Sequence, residues 1–222
     1  MPPPENLTGT ERIFFEYIRR YSDDLLIDLK SKGLIKKPSI PELDAFLKLI
    51  EMNDRLSIFY NKLNALVDVK YPERRERFLT DLAQLRITEN EFTEMYFQIM
   101  IMGFNRQTEL FRIAFLTILK RAGKIGDRTT LNPVIKYLNN VAGSKAKPIT
   151  EALEPTLRNV FSHHTYWFED HKIFYSEDSS FRNIKTMEFG EAMLKAKRQN
   201  IIFTAFVKAF SENAAKGFFS SV

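Results

Sequence analysis

The stretch Leu157-Arg158-Asn159-Val160-Phe161-Ser162-His163-His164-Thr165-Tyr166-Trp167-Phe168-Glu169-Asp170-His171-Lys172-Ile173-Phe174-Tyr175 changes its period halfway along. Its first part closes a helical pattern that fits Thr150 to His163, with Pro155 either kinking that helix or marking its real start. After His164 the pattern alternates. Tyr166-Trp167-Phe168 and Ile173-Phe174-Tyr175 flank Glu169-Asp170-His171-Lys172, which predicts a small β-hairpin. A final helix is expected from about Thr186 to Phe210, burying Met193, Leu194, Ile201, Ile202, Ala205 and Phe206.

Upstream, helical periodicity dominates. Thr88-Glu89-Asn90-Glu91 reads as a capping box, in which Thr88 caps the helix and Glu91 reaches back. It opens the longest apolar segment, carrying Phe92, Met95, Tyr96, Ile99, Leu110, Phe111, Phe115, Ile118 and Leu119. That segment should end near Ala122-Gly123, with a break around Gly103-Asn105. A shorter helix fits residues 130 to 142, bounded by Gly143 and a basic linker, Ser144-Lys145-Ala146-Lys147. Nearer the start, Ile13, Phe14, Tyr17, Ile18, Tyr21, Leu25 and Leu29 predict a helix behind Thr10 as N-cap, closed by Gly33. A second helix runs from about Pro41 to Val67 on a stripe of Phe46, Leu49, Ile50, Leu56, Phe59, Leu63 and Leu66. A third starts at Pro72, which suits a first-turn position. The expected fold is all-α: an N-terminal helical module over 1-87, then a helical bundle over 88-222 with the hairpin after its motif helix.

Composition narrows the class. With 44% hydrophobic against 27% charged residues the 222-residue chain is globular rather than disordered. Twenty Phe and eight Tyr supply a core without staples, and the absence of Cys excludes disulfides and zinc-thiolate sites. The opening Met1-Pro-Pro-Pro-Glu-Asn does not read as a secretory signal, and the apolar run Phe97 to Phe104 is far short of the ~18 residues of a membrane span. A soluble, cytoplasmic protein without membrane contact is expected. Most of the net charge of +5 lies in the C-terminal part and is compatible with a polyanionic partner, but carries little weight alone.

The chemistry concentrates in the opening stretch, which holds all three histidines, His163, His164 and His171, just after Arg158 and Asn159. Asn159 and His163, four apart, share a helix face, whereas Arg158 lies about 140° round and must swing its stem to meet His163. These groups suit RNA cleavage by internal transfer. An imidazole can move protons near neutrality, a guanidinium offers planar charged donors to phosphate, and an amide can orient either. One imidazole is short of an acid-base pair, so a two-fold homodimer bringing two sites together would complete it.

Arg158-Asn159-x-x-x-His163 at a helix end, then the hairpin and a long helix, resembles the HEPN superfamily (higher eukaryotes and prokaryotes nucleotide-binding) over roughly residues 88-215. The family pattern is Arg, a polar residue and a His four to six residues after the Arg. The resemblance implies a dimeric helical bundle. Many such proteins are metal-independent endoribonucleases of toxin-antitoxin or defence systems; others bind nucleotides or partner proteins without catalysis, sometimes beside a nucleotidyltransferase. His164 departs from the pattern, since close relatives often place Gly there, and it leaves open whether His163 or His164 acts. His163 is preferred because it shares a face with Asn159.

The expected function is therefore a metal-independent endoribonuclease acting on single-stranded RNA, as a toxin or defence effector with a cognate antitoxin or nucleotidyltransferase. The alternative is a non-catalytic nucleotide- or protein-binding module. Arg158, Asn159 and His163 are the catalytic candidates. His164, Lys195, Lys197 and Arg198 are candidate substrate contacts, the last three because the final helix should pack near the motif helix. Arg74-Arg75-Glu76-Arg77 reads as a solvated face. A metal on the three histidines would require the hairpin to fold back with Glu169 or Asp170, and no metal or cofactor is expected.

Overall fold

Residues 7–67, 71–120, 126, 129–178 and 181–219 are described by the computed structural model. Ala122-Gly123, where the longest helix was expected to end, lies outside them. The helices are α1 (Gly9–Ser31), α2 (Ile40–Val67), α3 (Pro72–Gln84), α4 (Glu89–Ile118), α5 (Leu131–Ala142), α6 (Lys147–Thr150), α7 (Pro155–Ser162) and α8 (Phe189–Ala215). Between α7 and α8 lie β1 (Tyr166–Glu169), β2 (Lys172–Ser176) and β3 (Ile184–Glu188), an antiparallel sheet in the order β1-β2-β3. The protein is thus mostly helical, with a small sheet after the motif helix.

Three helices begin on the same local chemistry. The backbone N–H of Thr8, Ser39 and Thr88 donates to the carboxylate of Glu11, Glu42 and Glu91 at 2.9, 2.8 and 2.7 Å, while each hydroxyl accepts from the Glu backbone N–H. Each box satisfies donors that a helix start leaves bare. The cap of α1 is therefore Thr8 and not Thr10, because Glu11 stands three residues after Thr8 whereas Ile13 follows Thr10. Pro72 opens α3 as expected, and Pro155 is the start of α7 rather than a kink.

The hairpin forms with Tyr166 opposite Tyr175 and Glu169 opposite Lys172. Asp170 and His171 make its two-residue turn, both at positive φ (47° and 60°), as a type I′ geometry demands. A third strand was not expected. Ile184–Glu188 pairs with β2, so the last helix starts at Phe189 instead of near Thr186. Phe168, Ile173 and Met187 form one cross-strand row, with Ile173 and Met187 buried.

Two apolar clusters lie along α4 and α8. The larger gathers Phe15, Leu25 and Leu29 of α1, Phe46 and Ile50 of α2, α4 from Leu110 onward, Val134 and Leu138 of α5, and α8 from Ile201 onward. The smaller gathers Phe97, Met100, Ile101 and Phe104 of α4, Leu157, Val160 and Phe161 of α7, Ile173, Met187 and Ala192. Residues on both sides of the boundary drawn at 87 contribute to the larger cluster, and Ile35 bridges to Leu119 across it.

No helix break occurs at Gly103-Asn105; what interrupts the apolar pattern is a polar run, Asn105 to Glu109, inside a continuous α4. It separates the two clusters. The basic linker is also absent as such: Gly143–Lys145 is a 3-10 turn, Ala146 is fully buried and Lys147 opens α6. Leu194, Met95 and Phe59, assigned to buried faces, are exposed at 70%, 55% and 49%.

The cap of α2 is titratable. The Ser39 backbone N–H, the Lys36 ammonium and the Ser39 hydroxyl hold the Glu42 carboxyl down to about 2. A carboxyl depressed in the folded state adds stability above its unfolded value, and that stability is lost as pH falls through its folded value. Replacing Glu42 by Gln should lower stability at neutral pH by about 1 kcal/mol. In thermal melts the gap between the two proteins should close as pH falls from about 4 to about 2.

Candidate functional site

The site lies at the C-terminal end of α7, where the helix meets β1. Pro155 starts α7 behind Glu154, a left-handed residue (φ 37°, ψ 62°). Such a conformation costs roughly 1–3 kcal/mol in a non-glycine residue and persists only where the surroundings hold it. Here the Glu154 carboxylate accepts from the Lys195 ammonium at 2.8 Å, and its backbone carbonyl accepts from the Arg158 N–H at 3.1 Å. Lys195 of α8 thereby fastens the start of the motif helix.

Arg158 points toward α4. A terminal nitrogen lies 3.7 Å from Glu109 Oε2, and Nη1 donates to Asn159 Oδ1 at 3.3 Å. Glu109 is shared with Arg112, whose Nε donates to Glu109 Oε1 at 2.8 Å and whose Nη1 donates to the Thr129 carbonyl at 2.9 Å. Two guanidinium groups and one carboxylate thus leave a local positive excess. The 3.7 Å contact is too long for a hydrogen bond, so most of the five N–H donors of Arg158 remain available. Its side chain is 30% exposed, which opens these donors to a ligand from solvent.

His163 is the C-cap of α7, and its backbone N–H donates to the Asn159 carbonyl at 2.9 Å. Its imidazole is exposed, with no hydrogen bond or ion pair to any described residue. His164 follows at φ 54°, and Thr165 N–H donates to the Val160 carbonyl at 3.1 Å, closing a Schellman turn. Gly33 after α1 and Gly217 after α8 fill the equivalent slot (φ 67° and 71°), where glycine carries no Cβ penalty. At α7 an exposed imidazole occupies it instead, packed near Tyr166 with ring centroids 6.3 Å apart.

Arg158 and Asn159 are brought together, and both imidazoles stand exposed about one turn beyond them, that of His164 near the Tyr166 ring. The basic residues of α8 are not directed to this site. Lys195 is engaged by Glu154, Lys197 pairs with Glu11 of α1 at 2.5 Å, and the Arg198 guanidinium lies over the Phe14 ring at 5.7 Å. They tie α8 to the motif helix and to α1. His171 sits at the opposite end of the hairpin, in the turn.

Glu109 and Arg112 are the members that sequence reading passed over. Glu109 and Arg112, three apart in a helix, carry a local ion-pair signal, but nothing in the spacing points to Arg158. A recess of about 370 Å³ lies elsewhere, lined by Ile87, Glu91, Glu94, Met95 and Gln98. Its two carboxylates, Glu91 and Glu94, make it acidic, and Tyr166 of β1 donates to Gln98 Oε1 at 2.7 Å.

The chain matches no protein-family model, no curated protein and no solved structure. Among the described helices none is long and apolar enough to cross a membrane.

Replacing His164 by Gly should stabilise the fold by about 1 kcal/mol, because the left-handed slot then holds the residue it favours. A rise in melting temperature is the expected result. A fall would mean that the imidazole contact with Tyr166 outweighs the backbone strain.

Proposed function

We propose that this chain is a HEPN-type, metal-independent endoribonuclease acting on single-stranded RNA. The observation that carries the reading is the Arg158–Asn159 contact, with a solvent-exposed imidazole at His163 one helical turn away. In this mechanism the 2′-OH loses a proton and its oxygen attacks the adjacent phosphorus. The 5′-oxygen then leaves with a proton, and a 2′,3′-cyclic phosphate remains. Arg158 binds the phosphate oxygens as charge accumulates on them, using the donors that Glu109 and Asn159 do not take. Glu109 holds the guanidinium at the site, and Asn159 orients it.

His163 transfers one of the two protons. His164 is the nearest second imidazole in the same chain. A residue that keeps a strained backbone where glycine would fit freely is a candidate for function, which supports His164 in that place. The substrate is single-stranded because internal attack needs a flexible backbone, and DNA is spared because it lacks the 2′-OH. The setting proposed is cytoplasmic, as a toxin or defence effector acting as a homodimer, with an antitoxin or nucleotidyltransferase as cognate partner.

A second reading is favoured by the hold of Glu109 on Arg158, which a phosphate must loosen. On that reading the chain is a non-catalytic module that binds a nucleotide or a protein.

Labelled single-stranded RNA incubated in EDTA should be cut by the wild type, and His163→Ala should slow cleavage by ~10²–10⁴. Arg158→Lys should also be impaired, since a point-charge ammonium cannot reproduce the planar fork. Equal cleavage by wild type and His163→Ala would remove His163 from the chemistry. RNA or nucleotide bound but uncut by either would favour the binding module.

A further inference from the structure

Helix α1 buries one side against α8 and the α5–α6 region and leaves the opposite side open. Along that side Ile13, Tyr17, Arg20, Asp24, Ile27 and Ser31 are all exposed, spaced by alternating steps of four and three residues. This is the spacing of a helix seam that meets another helix. Ile13 is 74% exposed and Ile27 55%, large values for isoleucines in a helix whose other face is fully packed. Arg20 and Asp24 stand at the middle of the row, and neither makes an ion pair with a described residue.

We infer that α1 is the contact face for a second copy of this chain, packed antiparallel about a two-fold axis at the level of residue 22. The occupant follows from the charge order. In an antiparallel pair with that centre, Arg20 meets the partner subunit's Asp24 and Asp24 meets the partner subunit's Arg20. Tyr17 then meets the partner subunit's Ile27, and Ile13 meets the partner subunit's Ser31. One two-fold operation therefore satisfies both charges and covers both apolar ends, a self-complementary arrangement. A parallel pairing in register would set Arg20 against Arg20 and Asp24 against Asp24, which like-charge repulsion disfavours.

The overlap of residues 13–31 is about 27 Å long at 1.5 Å per residue. A single helix pair of that length falls near the lower end of specific interfaces, so dissociation in the micromolar range is expected. Lys197 pairs with Glu11, and Lys195 with Glu154, so the motif helix lies toward the N-terminal end of α1. Antiparallel packing sends the two N-terminal ends apart by about 39 Å, measured between the two Gly9 positions along the helix axis. Antiparallel packing thus sets the two motif helices toward opposite ends of the α1 pair. The inference does not rest on the ribonuclease reading, and either can fail alone.

Sedimentation equilibrium of the full chain at about 100 µM and about 1 µM should show a dimer dissociating on dilution. Arg20→Asp and Asp24→Arg each place like charges across both symmetric contacts and should weaken association at least about tenfold. The combined exchange R20D/D24R restores opposite charges and should recover most of the loss. All three changes are on the surface, and melting temperatures close to wild type will show that folding is intact. A wild-type monomer at the higher concentration overturns the proposal. So does a dimer indifferent to the single reversals, or a double exchange no tighter than either single variant. RNA cleavage, measured in parallel, reports on the other reading.

Discussion

A band of polar side chains running across α4 and α8 sets the rest of the structure. Gln199 is fully buried, and its Nε2 donates to the Phe104 carbonyl at 2.7 Å; Gln107 Nε2 donates to Asn200 Oδ1 at 2.6 Å. A buried amide without a partner costs free energy, so these bonds fix the level at which the two helices cross. A one-residue slide of either helix would break them and put polar atoms into one of the flanking apolar clusters. Asn105 Oδ1, Arg106 Nε and Gln199 Oε1, in the same band, are buried without a hydrogen-bond partner among the described residues.

The motif helix arrives at this band. Apolar Leu157, Val160 and Phe161 anchor α7 in the smaller cluster, with the Phe161 ring edge-on to Phe97 and Phe104. Polar Arg158, on the other side of so short a helix, is left facing Glu109 at the end of the polar run, with Asn159 beside its guanidinium. The smaller cluster thus places the guanidinium, and the band supplies the carboxylate that restrains it. The sheet holds the far end: Thr165 Oγ1 donates to the Ser176 carbonyl at 2.8 Å, closing the chain just after the two histidines. Arg158 is restrained by Glu109 and Asn159 while the rings of His163 and His164 are exposed.

Charge on α8 has a structural use instead. Lys197 and Arg198 meet Glu11 and Phe14, and further along Arg19 of α1 meets Glu212 at 3.2 Å while Asn213 donates to Asp23 at 2.8 Å. These contacts run in the same direction on both helices, so α1 and α8 lie parallel, with the large aromatic cluster beneath them.

What the amino-acid order determined by itself was local. Capping boxes act over three residues and helical periodicity over four, so the starts of α3 and α4 and the extent of α2 could be read directly. The β1–β2 hairpin could be read too, because its strands alternate and its turn is only two residues long. Arg158, Asn159, His163 and His164 could be singled out because they are neighbours in the chain. The tertiary structure alone decided the rest. Strand β3 has little pattern of its own, with only Met187 buried, and is a strand because β2 offers it an edge to pair with. Long basic side chains can reach several acids, so their partners depended on which helix was brought alongside: α1 for Lys197, and Glu154 at the head of α7 for Lys195. Glu109 entered the site for the same reason, since an ion pair across 49 residues of chain leaves no trace in local spacing.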